Sequence, residues 1–204
     1  MAATDSVAAT RKLTRDHLMS LEEYDRVRSG FRARVMAHKL NRRVAIGPHA
    51  TLYFEDELTI RYQVQEMLRA ERIFEAQGIE EEIGTYNPLI PDGRNWKATF
   101  MIEYAQESDR RTALSRMVGI ENRVWARVAG FDRVWAIADE DLDRSTGDKT
   151  SSVHFLRFEL DPAMARAVKS GVAISMGIDH VAYSHSVESL PEAVRAALSL
   201  DLAG

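Results

Sequence analysis

Apolar residues recur at three- to four-residue intervals from Leu21 through Tyr24, Val27, Phe31 and Val35, and Ser20 and Glu23 have the spacing of a capping box, so the pattern predicts a helix over about 20–40. Residues 1 to about 12, rich in Ala, Ser and Thr, read as a disordered lead-in. The stretch Arg43 to Phe54 carries β-branched and aromatic residues on both sides of Gly47-Pro48, which predicts two short strands or one interrupted strand. A second helix follows from about Glu57 to Ala76, with Ile60, Val64, Met67, Leu68 and Phe74 as its buried stripe and Gly78 as its stop. Pro88, Pro91 and Gly93 make 79–95 a weak helix followed by a loop, and alternation resumes as a strand over Trp96 to Tyr104.

A short helix over about 108–118 leads into the most regular strand signal. RVWA occurs twice, at Arg123 to Ala126 and at Arg133 to Ala136, on either side of a turn containing Gly130 and Asp132, which predicts a hairpin. After a polar loop over 139–152, Val153 to Leu160 alternates as a strand. Asp161 caps the next helix, Pro162 takes its first position and Gly171 ends it. Val172 to Ile178 is another strand, followed by the polar segment HVAYSHSV, and a terminal helix opens at Pro191. Helices mainly in the N-terminal half and mostly antiparallel sheet in the C-terminal half define an α+β fold, with 13–204 as a single domain.

Composition narrows the chemistry. The 204 residues are 45% apolar and 28% charged, ordinary for a globular chain. A net charge of -4 gives no overall basic field, which argues against nucleic acid as the partner. No cysteine is present, so this chain performs no thiolate metal binding, iron–sulfur ligation or thiol redox chemistry. No stretch approaches the roughly 18 apolar residues of a membrane span and no signal-peptide core is visible, so the expected location is cytoplasmic and away from membranes. Phosphate loops, nucleophile elbows and dinucleotide fingerprints are also missing.

Four constellations remain. His49, beside the Gly-Pro break, together with Glu66, His180 and His185 from separate segments, would supply nitrogen and oxygen ligands for iron, manganese or zinc if the fold draws them together. Set against this, Glu66 with Arg69 makes an ordinary intrahelical ion pair, and a histidine at a strand end is commonly just hydrogen-bonded. Asp139, Asp141, Asp143 and Ser145 begin like a calcium loop but fail at Arg144 and Thr150, where glycine and glutamate are needed, so a mobile acidic loop is expected there. Arg123, Trp125 and Arg127 alternate on one strand and Arg133 and Trp135 on the next; they form either a platform for an anion or acidic partner, or tryptophans packed beneath arginine stems, and Tyr183, in the tail segment with Asp179, His180 and His185, is a further candidate binding residue. Arg32 and Arg34 lie on the charged face of the first helix, where a solvated surface needs no ligand.

VAIGPHATLYFEDELTIRYQVQEMLRAERI at 44–73, YNPLIPDGRNWKATFMIEY at 86–104 and GIDHVAY at 177–183 resemble an uncharacterised bacterial domain-of-unknown-function family, and the resemblance extends from Leu13 onward. It implies a genomic neighbourhood of a rubrerythrin-like di-iron protein and an iron–sulfur oxidoreductase, and hence a role in oxidative stress; it implies no catalytic residues. Two functions are expected from these readings. One is a non-catalytic accessory protein that docks on a redox-protein partner through Arg32, Arg34, Arg123 and Arg127. The other is a metal-dependent enzyme or metal-binding protein that uses the dispersed histidines and Glu66. The sequence leaves open a homo-oligomer.

Overall fold

The computed structural model describes residues 12–142, 144–145 and 147–203. All but Lys12 of the expected lead-in lies outside them. The N-terminal helix α1 (Leu21–Lys39) starts where its pattern predicts, with the Ser20 hydroxyl accepting from the Glu23 amide at 3.2 Å. β1 (Arg43–Ala45) and β2 (Ala50–Phe54) are the two strands expected around Gly47-Pro48. The second helix, α2 (Glu57–Ala70), is shorter than its periodicity suggests. Arg72 adopts φ 56° and the Ile73 amide reaches back to the Leu68 carbonyl at 2.8 Å, a helix-ending turn built on arginine instead of glycine. Gly78, expected to end this helix, lies inside α3 (Ala76–Tyr86).

β3 (Asn95–Ile102) is followed by α4 (Glu107–Arg116), β4 (Val124–Val128), β5 (Val134–Trp135), β6 (Ile137–Ala138) and β7 (Val153–Glu159). Beyond α5 (Pro162–Lys169), β8 (Ile174–His180) and β9 (Tyr183–Val187) form a hairpin, so the polar HVAYSHSV segment is largely strand; α6 (Glu192–Ser199) closes the chain. The strands form two antiparallel sheets, in the orders β1-β2-β3-β7-β6 and β5-β4-β8-β9. The chain passes from one sheet to the other at Ala136, between β5 and β6. The fold is α+β, with helices mostly N-terminal and the sheets mostly C-terminal.

The main core lies between the inner faces of the sheets. Leu52, Trp96, Phe100 and Phe158 from one meet Val124, Met176 and Ile178 from the other, with Val168 of α5 and Leu198 of α6 closing it. The Trp96 indole donates to the Leu198 carbonyl at 3.0 Å, which meets the need of a buried ring N–H and pins α6. A second cluster, including Ile60, Val64, Leu68 and Ile83, joins α2 to α3. Helices α1 to α3 border the outer face of the five-stranded sheet and leave a cleft of about 400 Å³ there. Among the described residues, no helix is long and apolar enough to cross a membrane.

One charged node ties α6 and the segment after it to β2 and the turn into α2. Arg42 is 2% exposed; its guanidinium donates to the carbonyls of Phe54, Glu55 and Ala197 and to Asp201 at 2.5 Å, and stands 3.3 Å from Asp56. Burial pushes the Asp201 carboxyl up to about 7 against the pull of Arg42. Burial acts the same way on Asp56, but Arg42, the Thr59 amide and His38 outweigh it and hold that carboxyl below its usual range. The folded chain therefore keeps a proton on Asp201 that the unfolded chain releases near pH 3.9. Between about pH 4 and 7, this group's contribution to stability falls as pH rises, by up to roughly 1.4 kcal/mol per pH unit. Asp201→Asn is expected to flatten that decline. Denaturant unfolding of both proteins at roughly pH 5 and pH 7.5 checks it, and identical pH slopes would refute it.

Candidate functional site

The doubled RVWA forms the expected hairpin, with Trp125 directly across from Trp135 on one side and from Gly177 on the other. Val124, Ala126 and Val128 point into the core, so Trp125, Trp135 and Arg127 share the outer face of the four-stranded sheet. Gly177 lets the indole lie against the backbone: a Cβ there would come within 2.6 Å of the Trp125 ring. Arg133 covers the other side, its guanidinium carbon 4.1 Å from the ring centroid, and is held by Asp179. Trp125 is consequently 3% exposed, and Trp135 stays 42% exposed. The two expectations for this pair thus divide: one tryptophan is shielded by an arginine, the other stands at the surface. Arg123, just before β4, and Arg127 are exposed, and neither has an ion-pair partner among the described residues. Arg32 and Arg34 are also exposed but belong to α1, in the helical layer, with Arg34 lying 5.0 Å over Phe31.

The Gly-Pro break is where β9 docks. Gly47 has φ 70°, and a Cβ on it would lie 2.6 Å from the Tyr183 hydroxyl and from the His185 ring. The Tyr183 hydroxyl donates to the Ile46 carbonyl at 2.7 Å and accepts the His49 amide at 3.0 Å, while burial pushes its phenol pKa up. The His49 ring stacks on Tyr104 with centroids 3.9 Å apart and its Nδ1 donates to the Glu103 carbonyl at 3.1 Å; the Tyr183 and His185 rings are 4.6 Å apart. Three of the residues singled out in the sequence therefore meet. Tyr104 was missed, because nothing in a strand-end tyrosine announces its partner in space.

His180 and Glu66 have other partners. His180 donates to the Val118 carbonyl at 3.1 Å and accepts the Ala182 amide at 3.2 Å, which fixes the turn into β9. Glu66 is gripped from α1 by Arg28, at 2.8 and 2.7 Å, and by the Tyr24 hydroxyl at 2.5 Å. The expected partner Arg69 reaches Asp25 instead, because packing of α1 on α2 brings stronger donors to Glu66 than its own helix offers. Among the described residues, no three His, Asp or Glu side chains are grouped so as to hold a metal ion. The quartet His49, Glu66, His180 and His185 does not form one centre.

In the acidic loop, the guanidinium of Arg144 stands where a cation would. It donates to Asp139 at 3.1 Å and to both oxygens of Asp141 at 2.5 Å, and holds the Asp141 carboxyl down at about 2. Asp143 lies outside the described residues. The loop is anchored from below by His154, fully buried on β7, whose Nδ1 faces Asp139 at 2.6 Å and whose Nε2 faces Thr150 at 2.9 Å and the Ser151 carbonyl at 3.1 Å. Thr150 in turn donates to Glu121 at 3.2 Å. In the sequence His154 is only an inward position of an alternating strand, and its network spans residues far apart along the chain.

An α+β protein of two antiparallel sheets, with an arginine-flanked tryptophan face, is the class that these features define. The chain belongs to the family described as Protein of unknown function (DUF3501), which matches residues 12–202. It is also similar to a novel protein of unknown function from Burkholderia pseudomallei K96243, known from its crystal structure: the two are 52% identical, the match covers 95% of this chain and 100% of that one, and the TM-score is 0.90. No curated protein matches the chain.

Proposed function

We propose that this chain is a non-catalytic, cytoplasmic accessory protein that docks on an acidic protein partner through the outer face of its four-stranded sheet. The observation that carries the proposal is Trp135, 42% exposed at a strand position with exposed, unpaired Arg127 and Arg123 nearby on the same hairpin. The few residues that dominate binding energy in protein interfaces are enriched in tryptophan, tyrosine and arginine, and exposed guanidinium groups favour a carboxylate-rich surface. The family resemblance points to a redox partner in oxidative stress, a rubrerythrin-like or iron–sulfur protein. A metal-dependent reading rests on a thinner base: His49 and His185 both adjoin Tyr183, and two imidazoles without a third His, Asp or Glu are a weak donor set for iron, manganese or zinc.

Titration of the purified protein with a rubrerythrin-like protein, and separately with an iron–sulfur oxidoreductase, of the same organism tests the proposal through tryptophan emission. One of them is expected to give a saturable change in the micromolar range at low salt. Arg123→Glu combined with Arg127→Glu is expected to weaken it roughly tenfold or more, with most of the effect lost at high salt. No association at micromolar concentration, or equal affinity in the charge-reversed variant, would overturn it.

A further inference from the structure

We infer that the cleft between α1–α3 and the outer face of the five-stranded sheet is a binding site for a small organic cation: an ammonium group held at Glu55, carried on an apolar aromatic body. Glu55, directly after β2, is 8% exposed. Its neighbour Asp56 receives His38 at 2.5 Å and Arg42 at 3.3 Å. Glu55 receives two hydroxyls only, Thr99 on Oε1 at 2.7 Å and Thr59 on Oε2 at 2.6 Å. Among the described residues, no Lys, Arg or His side-chain nitrogen comes within 4.0 Å of its carboxyl oxygens.

A carboxylate removed from water without a positive partner is expensive, and hydroxyl bonds offset only part of that loss. A carboxylate also offers about four acceptor positions. Two are used inside the protein, and the same side chain lines the cleft. The site therefore offers unfilled carboxyl acceptors with no cation in ion-pair contact at one point of a cavity of about 400 Å³. Its other walls suit the body of such a ligand: Tyr53, Tyr86 and Phe155 present aromatic surface, which attracts cations as well as apolar groups, and Met101 adapts its shape. The cleft adjoins a second one of about 290 Å³ through the shared residues Tyr86, Leu89 and Phe155, which leaves room for a longer ligand. Lys39 also borders the cavity, partly exposed and beyond ion-pair distance of Glu55, so solvent screens its effect on an incoming cation.

The test is calorimetric titration of the full chain with phenethylammonium, with neutral 2-phenylethanol and with phenylacetate, which share a body and differ in charge. Phenethylammonium is expected to bind saturably and roughly tenfold or more tightly than the alcohol, and phenylacetate more weakly than both. Glu55→Gln is expected to remove the advantage of the ammonium while leaving the alcohol unchanged. Gln63→Trp, at a partly buried position lining the cleft on α2, is expected to block all binding while the thermal melt stays that of a folded protein. The inference is overturned by equal affinities for ammonium and alcohol, by unchanged ammonium binding in folded Glu55→Gln or Gln63→Trp, or by no saturable binding of any probe up to about 10 mM. Should Glu55→Gln not fold, the comparison of probes and Gln63→Trp decide the matter.

Discussion

Arg42→Ala is expected to destabilise the protein by about 3–5 kcal/mol and to lower its melting temperature by about 10 °C or more. Arg42 joins the buried Asp201 and the partly buried Asp56 to three carbonyls, and these acceptors come from β2, the turn into α2, α6 and the segment after α6. Alanine removes all of these guanidinium donors at once, leaves the buried Asp201 without its cation while Asp56 keeps only His38 and the Thr59 amide, and loosens α6 from β2 and the turn into α2. Arg42→Lys keeps the charge but cannot reproduce a fork of five N–H groups, so an intermediate loss is expected. Urea unfolding of the three proteins, with calorimetry, provides the measurement. A loss below about 1 kcal/mol for Arg42→Ala would show that the node adds little net stability, as replacement of a whole buried ion group sometimes does.

The second large effect is expected at His154. His154→Ala should remove about 3–5 kcal/mol, because a fully buried ring is replaced by a cavity and its charge-assisted bond to Asp139 is lost with those to Thr150 and the Ser151 carbonyl. The loss has a local signature as well. Asp139 keeps the Phe155 amide and Arg144, and Thr150 keeps Glu121, but the bonds from the His154 ring to Asp139, Thr150 and the Ser151 carbonyl are lost, so the loop from 139 to 152 is held to β7 by fewer bonds. Hydrogen exchange is expected to accelerate in that loop more than in β3, which pairs with β7 along its length. His154→Phe separates the two causes: it fills the volume and lacks the bonds, so it should recover part of the stability and none of the loop protection. Equal loop protection in all three proteins would mean that the network does not hold the loop.

Neither residue stands out in the linear chain. Arg42 is one of a run of basic residues at the end of a helix, where the ordinary reading is a solvated charge, yet it is 2% exposed. His154 occupies an inward position of an alternating strand, where a core residue is expected. Burial of a charge is stable only with partners, and two of those of Arg42, the Ala197 carbonyl in α6 and Asp201 just after it, are 155 or more residues away.

Local pattern therefore determined α1, the β1–β2 break, the RVWA hairpin, the Asp161-Pro162 helix start and the α+β class, because each rests on contacts between near neighbours: periodicity, caps and turns. It failed at the end of α2, where arginine takes the left-handed position that glycine usually marks, and at β9, whose polar sequence is tolerated by an edge strand. The tertiary structure alone decided which candidates meet. It placed His49, Tyr183 and His185 around Gly47, gave Glu66 to Arg28 and Tyr24, shielded Trp125 beneath Arg133 and left Trp135 exposed. The reason is physical: a side chain's chemistry is written at one position, but its partners are set by sheet register and helix packing, which join residues that spacing along the chain does not connect.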